Sequence, residues 1–244
     1  MEYYSASGKK DDIRATLNKC DRLIVLSKSW QDYFASIGVD KNRTKVLNNI
    51  VSPPELHSEF HTGDGKLHLL YMGEISKRKG GFDLLKAVAD HREQFEGKLL
   101  LRMGGNQVDG DIKSFIREHS LESIVTYEGW IAGQKKIECL NWEDVYILPS
   151  YNEGLPIAIL EAMAYHHPVI SPPVGGIPEI LKDGYNGRMV QPGDAGGIAK
   201  AICDYIEDKD SIKSQGENSY KVVQPFFPES VFASLKEIYQ ELLA

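Results

Sequence analysis

The sequence predicts an α/β fold, a doubly wound parallel sheet, and two observations carry that prediction. From Lys66 onward, six short apolar runs alternate with helix-like segments, the signature of strands joined by helical crossovers. Several of these runs are apolar at consecutive rather than alternate positions, as in strands covered on both faces.

The elements follow in order. Leu67–Met72 is the first strand, followed by a loop over Gly73–Gly80 and a helix near Gly80–His91. Leu99–Met103 is the second, leading through Gly104-Gly105 to a helix over Asp111–His119, with aspartate at its start as a common N-cap. Ile124–Tyr127 is the third strand, with a helix at Gln134–Trp142. Val145–Leu148 is the fourth and runs out into Pro149-Ser150. Pro156 fits the first turn of the next helix, where a missing N–H costs nothing. That helix, to about Tyr165, is apolar on nearly every face and is therefore expected to be buried, Glu161 included. It ends in Tyr165-His166-His167-Pro168, where His166 is read as a left-handed cap rather than half of a metal site. Val169–Ser171 and Arg188–Val190 complete the strands, with helices at Gly176–Leu181 and Ala195–Ile206.

With right-handed crossovers and the common order 3-2-1-4-5-6, the first and fourth strands lie side by side. The loops Gly73–Gly80 and Ser150–Leu155 then flank one crevice at the switch point, where such sheets bind ligands.

Upstream, Asp21–Leu26 and Thr44–Leu47 read as two strands around a helix at Lys28–Ile37, too few for an independent domain. Residues 51–65, with Pro53-Pro54, Gly63 and Gly65, read as a linker, 66–215 as the main domain and 216–244 as a helical tail. In that tail Phe232, Leu235, Ile238, Tyr239 and Leu242 form a stripe expected to dock.

Composition excludes several classes. A net charge of −7 argues against a nucleic-acid partner. No apolar run is long enough to span a membrane, and no export signal is evident. Cys20, Cys139 and Cys203 fit neither metal-ligand nor disulfide spacing and are read as reduced cytoplasmic thiols. No Gly-x-Gly-x-x-Gly follows the first strand, and neither a Walker A motif nor a Gly-x-Ser-x-Gly elbow occurs. Asp109-Gly-Asp111 matches a metal-binding Asp-x-Asp, but its place before a helix favours capping.

The crevice holds the chemistry. Lys77, Arg78 and Lys79 lie between Gly73 and Gly80, and the helix beginning near Pro156 offers free N–H groups opposite them. Cations facing a helix N-terminus suit a diphosphate, although a charge triplet also reads as a solvated run. Glu153 and Glu161 flank the strand-to-helix turn with seven residues between them. A carboxylate in an apolar helix needs a partner, which leaves a structural ion pair and a ligand both open for Glu161.

Together these pieces resemble the retaining, group 1 GT-B glycosyltransferases that use nucleotide sugars. Glu153 and Glu161 match the family's Glu-x7-Glu, Lys79-Gly80 its Lys-Gly pair, and Pro173-Val-Gly-Gly-Ile-Pro-Glu179 its glycine-rich turn. The resemblance implies the C-terminal, Rossmann-like half of a GT-B fold, with residues 1–50 the end of an N-terminal acceptor domain. It implies that Lys79 and Glu153 are catalytic, Lys79 neutralising the departing diphosphate and Glu153 holding sugar hydroxyls with the backbone of Gly154 and Leu155. Glu161 would take the ribose hydroxyls, while Gly104 and the Trp130-Ile131 turn would border the base. Gly73, Lys77, Arg78 and Pro156 complete the donor site. No metal or cofactor is implied beyond the nucleotide sugar. The other partners are a glycan or lipid-linked acceptor and a homodimer or second subunit, in the cytoplasm or at the membrane's cytoplasmic face. One departure stands out: Glu74 occupies the position where the family usually has arginine.

Overall fold

A computed structural model describes residues 7–54 and 63–243, so residues 55–62 of the linker segment and the first six residues lie outside the described part. Ser7–Leu17 (α1), Leu23–Val25 (β1), Lys28–Ser36 (α2) and Thr44–Val46 (β2) form a first unit. Then come Leu67–Met72 (β3), Gly81–Asp90 (α3), Arg92–Phe95 (α4), Leu99–Gly104 (β4), Ile112–Glu118 (α5), Val125–Gly129 (β5) and Gly133–Trp142 (α6). Val145–Ile147 (β6), Ile157–Ala164 (α7), Val169–Ser171 (β7), Ile177–Ile180 (α8) and Gly187–Met189 (β8) follow. Ala195–Glu207 (α9), Asp210–Val223 (α10) and Pro228–Leu243 (α11) close the chain.

The large sheet has the order β5-β4-β3-β6-β7-β8 with every pair parallel, as the sequence predicts. β3, β6 and β7 are buried at every position, because helices cover both faces at the centre of the sheet. The chain runs outward from β3 to β5, then returns to place β6 on the other side of β3. Right-handed crossovers put α3 and α5 on one face and α6, α7 and α8 on the other. α9 packs beside α3, and α10 lies against α7. Two fully buried tyrosines on the central strands have satisfied hydroxyls: Tyr146 donates to Met72 O and Tyr71 to Glu74 O, each at 2.7 Å. Burial and then the Glu153 and Glu74 charges push the Tyr71 hydroxyl far above its ordinary range, so it stays a donor.

β1 and β2 pair in parallel, with Leu23 opposite Thr44. They are joined to the rest where the chain leaves and returns: Val51 N–H donates to Phe226 O at 3.0 Å. Farther along α11, Glu241 accepts from Lys45 Nζ at 2.6 Å and lies 3.9 Å from Arg22.

Three expectations are corrected. The helix α10 spans the division drawn between residues 215 and 216, and its inward face carries Ile212, Gln215, Gly216, Ser219 and Val223. Tyr205 donates to Gln215 at 2.6 Å and Ser219 to Asn186 O at 3.1 Å, so polar bonds help anchor this helix. On α11 the buried residues are Val231 and Ile238, with Leu235 half-buried between them, whereas Phe232, Tyr239 and Leu242 face outward. The docking stripe is thus Val231, Leu235 and Ile238 (i, i+4, i+7): Leu235 and Ile238 lie on it as expected, and Val231 replaces Phe232, Tyr239 and Leu242. On α7, Glu161 is not enclosed: its side chain retains 21% exposure, and Ile157, one turn earlier on the same face, is exposed.

Candidate functional site

The ends of β3 and β6 bring two loops together. After β3, Gly73 N–H donates to Gly104 O, Ile75 is fully buried, and Lys77–Lys79 form one 3-10 turn. Lys77 N–H donates to Asp109 Oδ2 at 2.7 Å. Gly80 then takes the left-handed conformation (φ 67°), and a Cβ there would lie 2.1 Å from Pro149 O. Only glycine fits, and the close approach brings the cationic turn against the loop that follows β6. Tyr151 N–H closes the same junction by donating to Arg78 O.

Lys79 and Glu153 meet across this junction. Lys79 Nζ donates to Glu153 Oε1 at 2.6 Å, with side chains 17% and 6% exposed. The pair is therefore largely desolvated, and each charge is balanced by the other. Arg78 donates to Asn152 O at 3.3 Å and lies 3.8 Å from the Glu74 carboxylate. The acid at position 74 is thus offset by a cation one turn later. The structure brings Lys79 and Glu153 together, while Lys77 and Arg78 both line a neighbouring surface cleft with Phe82, Asp83 and Tyr151, and the Lys77 N–H is held by Asp109.

Downstream, Pro156 occupies the N-cap of α7 rather than its first turn, and no side chain caps the helix. Asn49 donates to Leu155 O at 2.8 Å, so the segment from the first unit reaches this turn. Gly175 is left-handed (φ 57°), and a Cβ on it would lie 1.8 Å from Glu153 O. Gly176 N–H donates to Gly154 O at 2.7 Å. The glycine pair after β7 therefore lies directly on the backbone of Glu153 and Gly154.

Glu161 stands apart from this pair. It accepts from Lys136 Nζ at 2.5 Å, and both line a cavity of about 600 Å³ with Val51, Pro53, Gln134 and Tyr165. Glu161 thus has an ion-pair partner and also faces open space. Near the ends of β4 and β5, Gly104 packs against Ile131, which is nearly buried, while the adjacent Trp130 is 67% exposed and is not core. Asp111 caps α5 by accepting from Lys113 and Ser114 N–H groups. With Asp109 held by Lys77, the Asp-x-Asp pattern is occupied by backbone contacts. Among the described residues, no helix is long and apolar enough to cross a membrane.

Sequence reasoning passed over two groups. Lys136 carried no local signal, because its partner lies on another helix. Glu179 closes the glycine-rich turn and accepts from Lys28 N–H (3.0 Å), Ser29 N–H (2.8 Å) and Ser29 Oγ (2.6 Å) on α2. Its motif was visible but its partners, about 150 residues away, were not.

The sequence profile of the glycosyl transferases group 1 matches residues 54–222, well over half of the chain. The chain belongs to that family. It is 27% identical over 190 residues to N-acetyl-alpha-D-glucosaminyl L-malate synthase of Bacillus anthracis, covering 78% of this chain and 49% of that protein. It is 23% identical over 244 residues to the amylovoran biosynthesis glycosyltransferase AmsK of Erwinia amylovora, covering 96% and 59%. In fold it is similar to Anabaena HepE in complex with UDP, with a TM-score of 0.83 and 20% identity over 99% of this chain and 69% of that one. The chain spans about half the length of the curated relatives it matches.

Proposed function

We propose that this chain carries the donor site of a retaining glycosyltransferase, moving a sugar from a nucleotide sugar to a glycan or lipid-linked acceptor. The single observation that carries this reading is the desolvated Lys79–Glu153 pair at the switch-point crevice. A cation and a carboxylate held there suit a ligand with an anionic half and a hydroxyl-bearing half. As the bond between the anomeric carbon and the diphosphate oxygen breaks, charge grows on the leaving oxygen, and Lys79 Nζ stabilises it. Glu153, with the Gly154 and Leu155 backbone, holds sugar hydroxyls. Arg78 and the uncapped N-terminus of α7 add positive potential, so no divalent metal is required. Glu161 accepts from the ribose hydroxyls, sharing or giving up Lys136. Gly104 and Ile131 border the base, with exposed Trp130 beside them. Retention of configuration is what the resemblance of Glu153 and Glu161 to the family's Glu-x7-Glu implies, and the relative in amylovoran biosynthesis supports a role in cell-surface polysaccharide synthesis.

Calorimetric titration of UDP, GDP and ADP in EDTA tests this reading. One of them is expected to bind, and at 100 times its dissociation constant to add about 2.7 kcal/mol of stability. Absence of binding by all three, or binding only with Mg2+, overturns the site assignment.

A second reading is favoured by the first unit: the chain binds nucleotide sugar but transfers none without further residues that hold the acceptor. β1 and β2 form a sheet of two strands, fewer than independent stability needs, and leave Ile24 and Leu26 exposed. Such a surface fits completion by an acceptor-holding domain, a second subunit or a second copy. Transfer assays on this chain and on a longer one distinguish the two readings.

A further inference from the structure

The N-terminus of α2 is satisfied from outside its own unit. The first N–H groups of a helix lack intrahelical partners. Trp30 N–H is taken by the Ser27 hydroxyl, but Lys28 and Ser29 N–H both donate to Glu179, a residue of α8 in the large domain. The Ser29 hydroxyl adds a bond to the same carboxylate and another to Gly175 O at 3.1 Å. An ionised carboxylate at a helix N-terminus gains from charge-assisted hydrogen bonds and from the helix dipole together. A Cβ on Gly176 would lie 3.0 Å from Ser27 Cβ and 2.7 Å from Gly154 O, so this turn is packed tightly on both sides. A continuous line of contacts therefore runs from Lys79 through Glu153 and the Gly175-Gly176 turn to Glu179 and α2.

We propose that Glu179 is a positioning residue that couples the seating of α2 to occupancy of the Lys79–Glu153 site. This rests on the nucleotide-binding reading above. When a diphosphate draws Lys79 from Glu153, the loop at Glu153–Gly154 readjusts. The glycine turn cannot yield independently, because its backbone touches both neighbours. The shift reaches Glu179 and the α2 N-terminus. Coupling between two sites is reciprocal, so a loosened α2 also weakens the ligand.

The test combines hydrogen exchange with nucleotide titration on the whole chain, using whichever of UDP, GDP and ADP binds the wild type most tightly. In the wild type, the nucleotide slows exchange of the Lys28 and Ser29 amides. In Glu179→Ala those amides exchange about tenfold faster without ligand, in line with loss of a charge-assisted bond. They no longer respond to nucleotide, whose affinity falls about fivefold. Glu179→Gln, which keeps one acceptor oxygen, recovers part of both effects. Ser219→Ala, which removes a buried hydrogen bond in α10, serves as the control: it lowers stability but leaves affinity and α2 exchange unchanged. If the wild type binds nucleotide but α2 exchange does not respond, or Glu179→Ala binds as the wild type does, the coupling is refuted. If the wild type binds none of the three, the nucleotide-binding reading fails and takes the coupling with it.

Discussion

Removing Lys79 alone leaves Glu153, whose side chain is 6% exposed, without its ion-pair partner. At 2.6 Å, and with an effective dielectric of about 20, the attraction between the two charges is about 6 kcal/mol before desolvation is counted. Desolvation consumes several kcal/mol per ion, so the intact pair contributes little net stability. Breaking it is different: a stranded buried charge costs about 3–5 kcal/mol. Lys79→Met is therefore expected to lower unfolding stability by that amount. Glu153→Gln is expected to cost less, since the Lys79 amine can turn toward water. The double variant, with neither charge, should lie within about 1 kcal/mol of the wild type, giving a strongly non-additive cycle. Urea unfolding of the four proteins, followed by circular dichroism, measures it. Additive losses would show that the two charges are solvated independently, and the argument for a desolvated crevice would fall. The same variants bear on binding: Glu153→Gln releases Lys79 and should hold UDP no more weakly than the wild type, while losing the extra affinity for a nucleotide sugar.

Three further outcomes are expected. Glu161→Gln should weaken nucleoside diphosphate binding by about 1–2 kcal/mol, as an ionised acceptor becomes neutral, and equal weakening by Glu153→Gln in the same titration would contradict the assigned roles. Glu143 is fully buried beside Asp144, and its nearest basic group, His167, lies 3.8 Å away; burial and then the Asp144 charge hold its pKa well above the ordinary value of 4.5. The folded state thus keeps a proton that the unfolded chain releases, and stability declines as pH rises above about 4.5. Glu143→Met should flatten that decline and add about 1–3 kcal/mol at pH 8, read from urea midpoints across pH; an unchanged slope would place the titration elsewhere. Gly80→Ala forces a Cβ toward Pro149 O in a left-handed backbone and should cost about 1–3 kcal/mol while lowering UDP affinity by displacing Lys79; a variant as stable as the wild type would refute the close approach.

The large sheet was legible because its strands are buried on both faces, which writes Leu67–Met72 and Val145–Ile147 as unbroken apolar runs. The switch point followed from strand order alone, and so did the meeting of the Lys79 and Glu153 loops. α10 was harder to read, because Gln215, Gly216 and Ser219 take three of its five inward positions and dilute its apolar stripe. The face of α11 reads differently from sequence because Phe232 and Tyr239 are larger than Val231 and offer more ring surface, although Val231 is the residue that packs. The left-handed turn at His166, with φ of 64°, was readable because a proline two residues on demanded an end to the helix. Lys136 and the α2 contacts of Glu179 were invisible, since pairing between distant elements has no local period.

The hydrogen bond between Val51 and Phe226 also has a mechanical consequence. The polypeptide passes between the first unit and the large domain twice, outward at Val51 and back at Phe226, and the two passages are tied to each other at that point. Two joined crossings act as a pin: sliding is resisted by both backbones, whereas rotation about the line between them strains neither. Glu241 on the returning helix holds Lys45 and Arg22, so α11 is joined to the first unit by ion pairs as well as to the large domain by its chain. Glu179 holds α2 at a second point away from that pin, so its hydrogen bonds resist the rotation of the first unit that the Val51–Phe226 tie alone leaves free.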